Sequence, residues 1–189
     1  MFFFQILFFL ITIFLISLSL VGHGRLITKN LKYNFFIDLF FGFIVISLIV
    51  TTFHFFFKIY SLVGILLFLL GLIFFFKSKN QIYLNNLKKV HLSYLIIILL
   101  LLPMYISQKY HEDFGYYHLP YALAFLEEKI VFGFANIDNS YVYNSIWLNL
   151  NSIFFSTDKN FNFLTLPSFI LYLAFIIFLI HNLFKKKIS

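Results

Sequence analysis

Long apolar stretches alternate with short polar ones along this chain, at residues 2–21, 35–57, 59–76, 90–107 and 166–184. A helix crosses a bilayer with about 17–25 apolar residues, and all five fall in that range. Their polar interruptions are few: Gln5 in the first, Asp38 and His54 near opposite ends of the second, His91 and Pro103 at the margins of the fourth, and His181 in the last. Strands would leave amides unpaired in hydrocarbon, and the alternation of a membrane barrel is missing, so each stretch is predicted to be a helix. The expected fold is an all-α integral membrane protein with five transmembrane helices, forming a single membrane domain over residues 1–189.

Basic residues orient these helices. Arg25, Lys29 and Lys32 follow the first stretch, Lys77, Lys79, Lys88 and Lys89 follow the third, and Lys185, Lys186 and Lys187 end the chain. With five crossings these clusters share one side, and the positive-inside rule makes it cytoplasmic. The N-terminus, the turn at Lys58 and segment 108–165 then lie outside, giving an N-out/C-in, multi-pass protein of the cytoplasmic (inner) membrane. The first stretch lacks a basic n-region and is long for a leader, so it is predicted to stay as a helix.

Segment 108–165 has two amphipathic patterns. Pro120 suits a helical first turn, so one helix is expected over 119–129, with Leu119, Leu123 and Leu126 on its apolar side. A second is expected over 141–155, with Tyr143, Ile146, Trp147, Leu150, Ile153 and Phe154 inward and Asn144, Ser145, Asn151 and Ser152 mostly opposite. Trp and Tyr favour the membrane–water boundary, so both helices are placed along the outer interface. The stretch between them, 132–140, reads as a turn with Gly133 and Asn139 as its irregular points.

Composition sharpens this picture. The chain of 189 residues is 62% hydrophobic and 11% charged, with 31 Phe and no Cys. Soluble domains are about 45–50% apolar and about 25% charged, so a soluble globular fold and a disordered chain are both excluded. Without Cys there is no disulfide framework, thiolate zinc site or Cys nucleophile. The net charge of +7 lies in short cytoplasmic loops, where it orients helices and attracts anionic lipid. Membrane lipids are thus expected partners and nucleic acid is not.

Chemistry concentrates outside. Every acid except Asp38 lies in segment 108–165, and His111, Glu112, Asp113 and His118 cluster where the fourth helix leaves the membrane. A carboxylate partly shielded from water there can act as general base toward a sugar hydroxyl. With a His nearby it can instead hold a divalent metal on a phosphate-bearing donor. The plainer reading is that charged and aromatic residues gather at a helix exit. The spacing of His111 and His118 matches no zinc-protease pattern. Asp38 and His54, about 24 Å apart along one helix, cannot pair, though each is an intramembrane ionisable group.

The strings HEDFGYYHLP and KIVFGFANIDNSYVYNSIWLNLNSIFF resemble a motif of bacterial polytopic membrane proteins similar to the GT-C glycosyltransferases, which use dolichyl- or undecaprenyl-phosphate sugars. The resemblance covers residues 111–155. It implies Asp113 as catalytic acid or metal partner and Glu112 as its companion. It further implies substrate-binding roles for Tyr117, His118, Asn136 and Asp138, with Pro120 and Gly133 matching the motif. The implied activity is transfer of a sugar from a polyprenyl-phosphate carrier at the outer face of the cytoplasmic membrane, with a divalent metal as the one cofactor compatible with the acids. Such enzymes have about twice as many crossings, with the acidic loop after the first helix, so the chain is expected to be an N-terminal part of a longer enzyme. The alternative is a non-enzymatic multi-pass membrane protein, a transporter part or assembly subunit, whose loop is an interaction surface around Trp147 and the Tyr cluster.

Overall fold

A computed structural model describes residues 2–31, 34–78, 96, 98–103, 114–131, 133, 136, 145–157 and 161–186. Among them every regular element is helical: α1 (Phe2–Thr28), α2 (Phe35–His54), α3 (Ser61–Lys77), a π turn (Phe114–His118), α4 (Leu119–Glu127), α5 (Ile146–Thr157) and α6 (Phe161–Lys186). Residues 98–103, within the fourth predicted span, are also helical. Three helices are long and apolar enough to cross a membrane, over Ile6–Thr28, Phe35–His54 and Phe163–Ile180, and α3 is a shorter apolar helix of 17 residues.

The chain divides into two compact units. The first takes Met1–Phe43, Phe68–Ser107 and Ser168–Ser189, and the second takes Ile44–Leu67 and Gln108–Pro167.

In the first unit α1 outruns its predicted end at residue 21 and continues through His23 and Arg25 to Thr28. Arg25 itself makes this extension tolerable. Its guanidinium donates to the carbonyls of Thr28 (2.8 Å) and Lys29 (3.0 Å), which the helix end would otherwise leave without donors. After a short turn, α2 starts on Asn34, whose Oδ1 accepts from the amides of Phe36 (3.0 Å) and Ile37 (3.2 Å), as an N-cap does.

Glycines set how these helices pack. A β-carbon at Gly24 would fall on the Asp38 carbonyl, and one at Gly42 on the Leu20 carbonyl, so α1 and the first half of α2 touch backbone to backbone. Gly22 meets the backbone of Gly71 and Phe75, and Gly71 meets Ser19 and His23, which brings the second half of α3 equally close to α1. Ser19 Oγ closes that contact by donating to Phe68 O at 2.9 Å. Where lipid tails are as apolar as the side chains, such close approach through small residues is what holds helices together.

In the second unit α4 packs on α5. Ala122, Phe155 and Leu164 form a buried cluster, with Leu119 and Leu126 against it. The buried face of α4 is therefore Tyr121, Ala122 and Phe125, with Leu119 and Leu126 at its border. Leu123, expected inward, is 42% exposed. On α5 the predicted polar side fails more plainly. Asn151 and Ser152 are buried along with Asn149, Leu148, Leu150, Ile153 and Phe155, so α5 is enclosed nearly all round rather than half-solvated. Ser152 accommodates this by donating to Leu148 O at 2.7 Å within its own helix.

The last helix begins at Phe161, five residues before its predicted start, and carries Pro167 inside. Lacking an amide hydrogen, Pro167 leaves the carbonyl of Phe163 without its usual helical donor.

Candidate functional site

The loop motif enters the described structure at Phe114. Residues Phe114–His118 form a single π turn that runs directly into α4. His118 has helical backbone angles and makes no side-chain cap. Pro120 stands at the start of α4, where its missing amide costs nothing. π turns widen a helix by one residue per turn and occur often at functional positions. Tyr117 occupies this turn, and His118, at its end, is exposed. Asn136 is also exposed, and its amide donates to Gly133 O at 2.9 Å, closing a tight turn. Gly133 has φ +81, the left-handed region that glycine adopts without strain, as expected of an irregular point. Glu112, Asp113, Asp138 and Asn139 lie outside the described residues.

Behind the motif helix stands a residue known from its intramembrane position alone. His54, the last residue of α2, is fully buried in the second unit. Its Nε2 lies 3.0 Å from Glu128 O. A carbonyl only accepts, so Nε2 carries the hydrogen. The His54 carbonyl in turn accepts from Ile130 N at 3.0 Å, and Ile59 N donates to Phe125 O at 2.9 Å. The imidazole also packs against the Phe125 ring, centroids 4.5 Å apart, and the buried Asn149 side chain of α5 lies near it. The end of α2 is thus tied to the C-terminal end of α4 by backbone and side chain together, and α5 closes the back.

This predicts a local effect. His54→Ala should leave α4 folded but free the segment after it, so the amides of Ile59 and Ile130 should lose most of their protection in hydrogen exchange. Unchanged protection at both would show that the ring contributes nothing to the tie.

The first unit holds a separate polar cluster. Arg25 Nη1 lies 3.6 Å from Asp38 Oδ1, with the two side chains 6% and 1% exposed. The Thr28 hydroxyl accepts from Arg25 Nη1 at 3.2 Å and donates to Asp38 Oδ1, with Gly24 O a second acceptor. Arg25 was legible only as an orienting charge and Asp38 only as a head-group neighbour. Their union needed the hairpin between α1 and α2, which no spacing rule supplies. The cluster joins the negative end of α1 to the positive end of α2 through a cation and an anion in the favourable order, which is a structural arrangement. Among the described residues no three His, Asp or Glu side chains come together as a metal site.

No curated protein and no solved structure matches this chain. A family model does, across residues 4–189, and the chain accordingly belongs to the family defined by the domain of unknown function DUF8201.

Proposed function

We propose that this chain is a glycosyltransferase-like protein of the cytoplasmic membrane that takes a sugar from a polyprenyl-phosphate carrier at the outer face. The reading places five helices across the membrane, N-out and C-in, with the loop motif outside. The observation that carries it is the continuity of the motif with a packed helix. The π turn runs without a break into α4, which packs on α5 and is followed by Glu128, the partner of His54. Catalytic groups must be held by such a scaffold, because small misplacements cost large factors in rate.

In this reading the Asp113 carboxylate takes the proton of the acceptor hydroxyl. The hydroxyl oxygen bonds to the anomeric carbon of the sugar, the bond from that carbon to the phosphate oxygen breaks, and the polyprenyl phosphate leaves with the bonding pair. Glu112, a second negative charge beside Asp113, raises the affinity of that carboxylate for the proton. Tyr117, His118, Asn136 and Asp138 hydrogen-bond the donor. A divalent metal on Asp113 is the one cofactor the acids suit.

Asp113→Asn should lower glycan transfer by about 10²–10⁴-fold with expression and melting temperature unchanged, assayed in membranes with a polyprenyl-phosphate sugar. Transfer at the wild-type rate would remove Asp113 from catalysis. A second reading, a non-enzymatic interaction loop, draws on exposed apolar surface: Tyr116 is 78% exposed, and Val131 and Ile146 are also exposed. That reading expects co-purification of a partner to be lost with Trp147→Ala and kept with Asp113→Asn.

A further inference from the structure

The end of α2 presents a feature that the loop motif does not use. Leu48, Ile49, Thr52, Phe53, Phe56 and Phe57 line a shallow groove of about 430 Å³ in the second unit. These positions follow one stripe of α2 and continue it into the turn beyond His54. The lining is apolar except for Thr52. The Phe53 and Phe57 rings stand 5.1 Å apart, and Phe56 is 66% exposed.

Lys58 comes next in the chain. Its ammonium lies 5.5 Å from the centroid of the Tyr60 ring. It is the only Lys, Arg, Asp or Glu between Asp38 and Lys77, and among the described residues it forms no ion pair. A cation–π contact orients an ammonium without neutralising it. Along the chain, the apolar groove therefore ends one residue before a cation that has no ion pair among the described residues, just past the end of a membrane-length helix.

Each half selects against a simple occupant. A soluble anion would satisfy Lys58 and leave six apolar or weakly polar side chains uncovered. A zwitterionic lipid would fill the groove while offsetting its own phosphate with its own cation. A molecule with an apolar chain joined to a net negative head satisfies both. We propose that the groove is a binding site for an anionic phospholipid, with one acyl chain along α2 and the phosphate on Lys58.

The full-length chain in detergent, exchanged into phosphatidylglycerol or phosphatidylcholine, provides the test, with retained lipid counted by native mass spectrometry. Phosphatidylglycerol should be retained in preference to phosphatidylcholine. Lys58→Ala should weaken its retention by about fivefold, the share of one basic residue at an anionic surface. Lys58→Arg should keep it, which separates loss of charge from loss of fold. Thr52→Trp, which fills the groove, should release both lipids. Excess inorganic phosphate should displace neither. Equal retention of the two lipids by the native chain, wild-type retention by both Lys58→Ala and Thr52→Trp, equal losses in Lys58→Ala and Lys58→Arg, or displacement by free phosphate would each overturn the proposal.

Discussion

Arg25→Met and Asp38→Leu should each destabilise the protein by about 3–5 kcal/mol, because each leaves the other charge buried without its counterion. Arg25→Met should be the worse of the two. The arginine also supplies donors to the carbonyls of Thr28 and Lys29 at the end of α1, and those are lost with it. Asp38→Leu leaves that capping in place and strands the guanidinium beside the Thr28 hydroxyl. The double variant should cost less than the two singles added, with a coupling of about 0.5–3 kcal/mol, since an apolar pair removes both desolvated charges at once. Denaturant unfolding in micelles, followed by far-UV circular dichroism, gives all three values. Strict additivity would mean that the charges, though 3.6 Å apart, do not stabilise one another.

Alanine at Gly24 or Gly42 should cost about 3 kcal/mol or more, well above what alanine usually does in a helix. The added β-carbon would lie 2.6 Å from the carbonyl carbon of Asp38 or of Leu20 respectively. Neither backbone can move without separating α1 from α2 and the Arg25–Asp38 pair with it. At Gly22 the same atom would lie 2.7 Å from Phe75 N, and at Gly71 it would lie 2.7 Å from His23 Cδ2. Gly71→Ala should cost a comparable amount, because the Ser19 carbonyl oxygen, 2.5 Å from the added atom, is backbone as well. Gly115 is the control. Nothing stands within 4 Å of its would-be β-carbon, so Gly115→Ala should change stability by no more than about 0.5 kcal/mol. Equal losses at Gly42 and Gly115 would mean that chain flexibility, and not contact, sets the cost.

The apolar runs announced α1, α2, α3 and α6 because hydropathy over a membrane length is a strong and local signal. Their ends were legible only where local chemistry decides them. The second span was predicted to reach Phe57, and the helix stops at His54, where the ring and carbonyl turn to bond Glu128 and Ile130. The first was predicted to stop short of Arg25, whose charge becomes acceptable only through Asp38 on another helix. Asn151 and Ser152 misled for the same reason. Periodicity assigns polar residues outward, while α5 buries both, with the Ser152 hydroxyl bonded to its own backbone. The glycines share no spacing motif, yet Gly24 and Gly42 lie where α1 meets α2, and Gly22 and Gly71 lie where α1 meets α3. Of the proposed site, the start of α4 at Pro120 and the turn at Gly133 were readable from residue type. The roles of Asp113 and Glu112 rest on family resemblance, since carboxylates at a helix exit have no geometry of their own until something holds them.

The order in which these contacts become available during synthesis has its own consequence. Asp38 follows Arg25 by about 13 residues, roughly 1–3 s of translation at about 5–20 residues per second. Gly71 follows Gly22 by about 49, or roughly 2–10 s. The arginine therefore meets its counterion while α2 is still being inserted, and the exposure of an unpaired charge is brief. The Gly22 side of α1 must wait several times longer for α3. A nascent chain stalled between those two points would hold a neutralised α1–α2 hairpin, with His23 still without the Phe74 ring that meets it edge-on at 5.7 Å in the folded chain. Membrane quality control would meet that hairpin, and not a lone charged helix, as the first intermediate.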